Sequence, residues 1–251
     1  MIKAERHDRI LAELAKRGAI GVQELADLLK ASTATVRRDI SELDESGAVI
    51  RTHGGVTLRD TREELPYDAK VMAFLPEKRR IGAKAASMLT PNLSIGCGGG
   101  TTIMQMVVAI KRIPLHVTTT AINVALELRD ADNIEVLLTG GTLRARTAEM
   151  VGHVAERTLR DVNLDIALIG IDGIDPRNGL STYDSAEAYV NRVLIDRARE
   201  VWILADHSKL GQTRPAVIAA VSTASVIITD TAAPPDMVRA IEALGSKVIL
   251  A

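Results

Sequence analysis

The chain has 251 residues, 31 Lys and Arg against 32 Asp and Glu, and a formal net charge of −1. A hydrophobic fraction of 47% suffices for a globular core, but no run of ~18 uncharged apolar residues is present to cross a membrane. Charged and apolar types alternate in the opening MIKAERHDRI, unlike a secretory signal, and a single cysteine (Cys97) leaves no disulfide framework, so a cytoplasmic protein is expected.

Residues 6–16 read as a first helix, with Ile10, Leu11, Leu14 and Ala15 at helical spacing and Gly18 as its stop. Val22, Leu25, Ala26, Leu28 and Leu29 form a second, short apolar face. Ser32 is a good N-cap for a third helix over 33–45, with Val36, Ile40 and Leu43 inward and Gly47 as its end. AVIRTHGGVTL (48–58) then reads as a β-hairpin turning at Gly54-Gly55. Two short helices, a turn and a third helix with a polar start make a helix-turn-helix, whose last helix enters the major groove.

The start of that helix, KASTATVRR (30–38), carries three positive charges and no acid. Ser32, Thr33 and Thr35 can reach phosphates or base edges, and Arg37 or Arg38 can make a bidentate contact to guanine. Arg51 and His53 sit on the hairpin, where a wing touches DNA. The acids Asp39, Glu42, Asp44 and Glu45 follow later on the helix, facing away from DNA or toward a partner helix. Aromatic residues are 2% of the chain, which excludes a base-stacking reader of single strands and leaves a duplex reader.

Residues 59–76 are charged, hold two prolines and lack a clean period. They read as a linker between a DNA-binding domain, 1–58, and a second domain, 77–251. That domain opens with a helix near 77–89. From 93 onward apolar, β-branched runs alternate with helices: LSIGC, LHVTTT, IEVLLTGG, DIALIGIDGID, VWILAD and SVIITD. This pattern indicates a parallel α/β sheet of Rossmann type, which binds ligands beyond the carboxyl ends of its strands.

Those ends carry the polar residues. Gly98, Gly99 and Gly100 precede Thr101 and Thr102 at a helix start, where backbone N–H groups can converge on an anion. Thr118-Thr119-Thr120 and Thr139-Gly140-Gly141-Thr142 also follow strands, and Asp206-His207-Ser208-Lys209 offers a cation to a phosphate. His116, Trp202, Phe74 and Cys97 read as structural. His7 and His153 are too far apart to suggest a metal site, and neither metal nor cofactor is expected.

V-x-x-L-A-x-x-L (Val22–Leu29), S-x-x-T-V-R-R-D-I (Ser32–Ile40) and R-T-H-G-G (Arg51–Gly55) resemble the DeoR family of bacterial transcriptional regulators. So do EKRRIG (77–82), GTT (100–102), GGTLR (140–144), DGID (172–175), Glu187-Ala188 and DHSKLG (206–211). The resemblance runs from about residue 5 to 250. It implies a winged helix-turn-helix followed by a sensor domain similar in fold to ribose-5-phosphate isomerase and glucosamine-6-phosphate deaminase. It also implies a non-enzymatic repressor of a carbohydrate or polyol operon, a homodimer or homotetramer that a phosphorylated metabolite releases from double-stranded operator DNA. Arg144, Asp172, Asp175 and Glu187 join the expected effector contacts on that basis. The alternative is a sugar-phosphate isomerase or deaminase-like enzyme with a fused helical module.

The chain departs from the family pattern at three places. Gly98 stands where the family usually has Asp. Thr119-Thr120-Ala121 replaces Thr-Asn-Ser. Asn191 replaces a Lys four residues after the Glu.

Overall fold

The structure is a computed structural model that describes residues 3–45, 48–52, 54–58, 64–65 and 67–251. It divides into two compact units between Ala73 and Phe74.

The first unit contains α1 (Lys3–Arg17), β1 (Ala19–Gly21), α2 (Val22–Leu29), α3 (Thr33–Glu45), β2 (Val49–Thr52), β3 (Gly55–Leu58) and α4 (Tyr67–Met72). Gly18 ends α1 as expected: its φ of 81° suits the left-handed turn there, and its N–H bonds the Leu14 carbonyl at 2.8 Å. The apolar periods of the three main helices converge. Ile10 and Leu14, Leu25 and Leu29, and Val36 and Ile40 form one buried cluster with Val49 and Val56 of the strands. Burying each such side chain is worth roughly 1.5–3 kcal/mol. The hairpin forms as read, with Thr52 opposite Gly55, and β1 adds a third antiparallel strand against β3. Strand β1 is not among the expected elements, because three residues are too few to show a period. The expected stop at Gly47 lies outside the described residues. Helix α4 falls inside the stretch that read as linker.

The second unit begins with α5 (Leu75–Met88), β4 (Ser94–Cys97), α6 (Thr101–Ile110), β5 (Leu115–Thr119), α7 (Ile122–Leu128) and β6 (Ile134–Leu138). A hairpin follows, β7 (Thr142–Arg144) and β8 (Glu149–Val151), then α8 (His153–Arg160) and β9 (Leu164–Gly170). The remainder is β10 (Gly173–Asp175), β11 (Gly179–Thr182), α9 (Ser185–Asp196), β12 (Ala198–Leu204), β13 (Ala216–Ala219), β14 (Val226–Thr229), α10 (Pro235–Glu242) and β15 (Lys247–Leu250).

Seven of these strands form one parallel sheet in the order β15-β14-β12-β9-β4-β5-β6. Alternate residues of β9 divide between two cores. Ile166 and Leu168 pack with Ile81, Ile103 and Met106 of α5 and α6, whereas Ala167 and Ile169 pack with Leu159 and Leu194 of α8 and α9. Burial on both faces is why these strands read as continuous apolar runs. The chain leaves β4 toward β5 and β6 on one side, and later fills β9, β12, β14 and β15 on the other. The topological switch point therefore lies between β4 and β9, where ligands of such sheets bind. The small antiparallel sheet β10-β11-β13 and the β7–β8 hairpin are additions; of their strands only β10, the end of the DIALIGIDGID run, falls in a stretch that read as strand.

Candidate functional site

The residues expected to read DNA centre on α3. Ser32 caps it: the Thr35 N–H donates to Ser32 Oγ at 3.2 Å, and the two hydroxyls lie 2.9 Å apart. Arg37 and Arg38 are exposed one and two residues past the inward Val36. Arg51 of β2 lies against the helix, its Nη2 donating to Ser41 Oγ at 2.7 Å and to the Arg37 carbonyl at 3.3 Å. Thr33, Arg37, Arg51 and Gly54 line a recess of about 390 Å³ where α2, α3 and the hairpin meet. The structure thus groups Ser32, Thr33, Thr35, Arg37, Arg38 and Arg51 on one helix and its adjoining strand. His53 lies outside the described residues.

Two acids of α3, Asp39 and Glu42, turn to a partner helix. Asp39 is buried and receives Arg6 of α1 in a two-point contact, Nε at 2.7 Å and Nη2 at 3.0 Å, with His7 Nε2 at 3.3 Å. Burial pushes the Asp39 carboxyl up, but the Arg6 hydrogen bond and the charges of Arg6 and His7 outweigh it and hold it below the usual carboxylate range. Lys3 reaches Glu42 at 2.5 Å. Asp39 and Glu42 are thus engaged by α1 rather than by the basic start of α3.

At the switch point of the second unit, β9 ends in Gly170 and delivers Asp172. Thr182 of β11 sits between two acids, its hydroxyl 3.0 Å from Asp172 Oδ2 and 3.1 Å from Glu187 Oε1. Cations stand at each end of this chain of groups. Lys209 Nζ is 3.6 Å from Asp172 Oδ1, and Arg144 Nη1 is 3.3 Å from Glu187 Oε2. Asp184 caps α9 by accepting from Glu187 N, and also lies 3.5 Å from Arg144 Nε. Arg144, Asp172, Glu187 and Lys209 thus come together from four separate segments. Thr182 and Asp184 belong to the same network and were not singled out as site residues. The only sequence signal for either is the D-S-A-E cap pattern at the start of α9.

The glycine loop lies beside this network. Gly99 N–H donates to Glu149 Oε1 of β8 at 2.5 Å, and Glu149 is itself buried. A Cβ at Gly99 would stand 2.7 Å from that oxygen and 2.8 Å from the Thr147 carbonyl, so no side chain fits there. Gly100 has φ 98° and open space around it, and Thr101 and Thr102 begin α6. Thr119 and Thr120 have no exposed surface; Thr119 Oγ1 accepts from Ala121 N at 3.1 Å. Gly140 and Gly141 have φ of 69° and 124°, conformations that favour glycine, in the bend after β6. Asp175 is placed apart, in the β10–β11 turn, where Oδ1 accepts from the backbone of Arg177 and Asn178 at 3.0 and 2.8 Å.

His207, His116 and Cys97 make contacts within the second unit. His207 Nδ1 lies 2.9 Å from Asp230 Oδ1, and its ring meets Phe74 edge-on with 4.9 Å between centroids. Cys97 is fully buried, and burial is the largest cause raising its thiol pKa to about 12. His116 pairs with Glu135 on the neighbouring strand. Among the described residues there is no cluster of three or more His, Cys, Asp or Glu that could hold a metal, and no helix long and apolar enough to cross a membrane.

A winged helix-turn-helix unit joined to a parallel α/β unit defines the class: a DNA-binding transcriptional regulator with a sensor domain. A family model of the DeoR-like helix-turn-helix domain matches residues 6–62, and one of the DeoR C-terminal sensor domain matches residues 74–231. The chain is 34% identical over 254 residues to the HTH-type transcriptional regulator GlpR of Haloferax volcanii, covering 99% of this chain and 98% of that one. It is 29% identical over 236 residues to the glycerol-3-phosphate regulon repressor of Escherichia coli K12, covering 94% and 93%. The chain belongs to the DeoR family of transcriptional regulators. Ribose 5-phosphate isomerase A of Methanocaldococcus jannaschii is similar in structure over 55% of each chain, with 15% identity and a TM-score of 0.40.

Proposed function

We propose that this protein represses a carbohydrate or polyol catabolic operon and leaves its operator when a phosphorylated sugar or related metabolite binds at the switch point. One observation carries the reading. Two cations, Lys209 and Arg144, bracket a row of hydroxyl-binding groups, Asp172, Thr182 and Glu187, at the strand ends. Cations suit a phosphate; acids and a threonine suit the hydroxyls of a sugar or polyol. The name of the Escherichia coli relative, a glycerol-3-phosphate regulon repressor, supports the same effector class.

In this reading residues 1–58 bind DNA, 77–251 sense the effector, and 59–76 connect them. Operators of helix-turn-helix proteins are two-fold repeats, so the working form is a homodimer or homotetramer in the cytoplasm. The isomerase alternative is not favoured, because curated relatives matched over nearly their full length are named as regulators. The test is a thermal-shift screen of phosphorylated sugars and polyols, followed by band-shift assays with operator DNA. At least one compound should raise the melting temperature and release the DNA. A panel that stabilises nothing and releases nothing would sink the proposal.

A further inference from the structure

The three departures from the family pattern are far apart in sequence and come together around one residue, Glu149. A Cβ at Gly98 would lie 3.2 Å from Glu149 Oε1 and 3.4 Å from Asn191 Oδ1. Ala121 forms an isolated antiparallel bridge with Glu149, and Met150 N donates to the Thr120 carbonyl at 2.7 Å. Glu149 is 3% exposed and takes the Gly99 N–H at 2.5 Å. A carboxyl group thus fills the space that an Asp at 98 would enter, but reaches it from β8.

We propose that Glu149 is a specificity-determining residue of the effector site. Its carboxyl occupies the anion seat of the Gly98–Gly100 loop. That end of the site, where Arg144 stands opposite Glu149 on the hairpin, then takes the hydroxyl-bearing part of a ligand, and the phosphate goes to the Lys209 end. An N–H already given to a carboxyl oxygen is lost to a phosphate, and a second anion beside that carboxyl is repelled. Gly99 is glycine because Glu149 approaches it too closely for a Cβ, which accounts for part of the glycine run by an internal acid.

The inference rests on the effector reading above, but its test does not depend on that reading. Inorganic phosphate is titrated calorimetrically into the full chain as wild type, Glu149→Ser and Gly98→Asp/Glu149→Ser. Glu149→Ser empties the seat and should bind phosphate at least about tenfold more tightly, the effect of one hydrogen bond to a charged group. The double variant returns a carboxyl from position 98 and should bind like wild type. Equal or weaker binding by Glu149→Ser overturns the proposal, as does a gain that persists in the double variant. Should Glu149→Ser fail to fold, Gly98→Asp alone decides. It sets two carboxyl groups against each other and should melt below both wild type and the double variant; melting at or above wild type overturns the proposal. If no phosphorylated compound releases operator, the effector reading falls and this comparison stands. If wild type and Glu149→Ser bind phosphate alike, only the role of Glu149 falls.

Discussion

Arg37 and Arg38 are exposed on the same helix whose inward face is fixed by Val36 and Ile40. A direct base contact from either is worth ~1–3 kcal/mol, so Arg37→Ala and Arg38→Ala should weaken operator binding by roughly five- to 150-fold each. A band-shift at fixed salt measures this, and unchanged affinity removes that arginine from the interface. Lys209 is the other single residue on which much turns. It is partly exposed and opposes Asp172 across 3.6 Å. Lys209→Ala should abolish release by effector and leave operator binding intact. A variant that still dissociates normally with effector would refute the assignment of Lys209 to a phosphate. Both arginines and the lysine were legible in the sequence because each sits in a compact motif, KASTATVRR or DHSKLG. Glu149 was not, since no pattern in AEMVG marks a buried acid.

Elements were read well where they were long and periodic. The N-cap at Ser32 and the span of α3 agree with the sequence reading, because the cap and the apolar period point to the same start. Helix α5 begins at Leu75, two residues before the expected start, with Pro76 tolerated in its first turn. The short strands β1, β7, β8 and β13 passed unseen, as three or four residues fix no period. Packing of α5 on α6 gives a test at this scale. A Cβ on Gly82 would stand 2.5 Å from Met106 N and 2.6 Å from the Gln105 carbonyl carbon, both backbone atoms that cannot swing away. Gly82→Ala should therefore cost about 1–3 kcal/mol by overpacking, despite alanine's higher helix propensity. Chemical denaturation measures the loss; a variant as stable as wild type would show that the two helices separate freely.

For the whole molecule, charge placement sets a pH window. The Asp230 hydrogen bond raises the pKa of His207 above its ordinary 6.5 against the opposing effect of burial, with the charges of Asp230, Asp206 and Glu77 adding to the rise. A raised folded pKa means a contribution complete below about 6.5 and lost as pH climbs through the folded value. Asp39 and Asp230 go the other way. Burial raises each, and their partners Arg6 and His207 more than reverse it. Their contributions are present above about 3.9 and fade as pH falls through the lowered folded values. Calorimetric melting from about pH 2 to pH 9 should show a plateau with both limbs falling. His207→Asn should flatten the alkaline limb; an unchanged limb would rule out this histidine as its source.

The near-zero charge of the chain excluded little by itself. The local sign did more: three positive charges lie over residues 30–38, at and just before the start of α3, and two of the acids that follow, Asp39 and Glu42, are held by α1. The sequence alone determined the helix-turn-helix, the alternating strands and helices, the family, and the motifs at the strand ends. These depend on period, capping and contiguous residues, all of which are local. Tertiary structure decided which motifs meet. It brought Lys209, Asp172, Thr182, Glu187 and Arg144 into one row, moved Asp175 out to a turn, and gathered Gly98, Ala121 and Asn191 around Glu149. Those relations come from strand order in the sheet and from crossovers of many residues, and no local pattern encodes which distant side chain will fill the space a glycine leaves open.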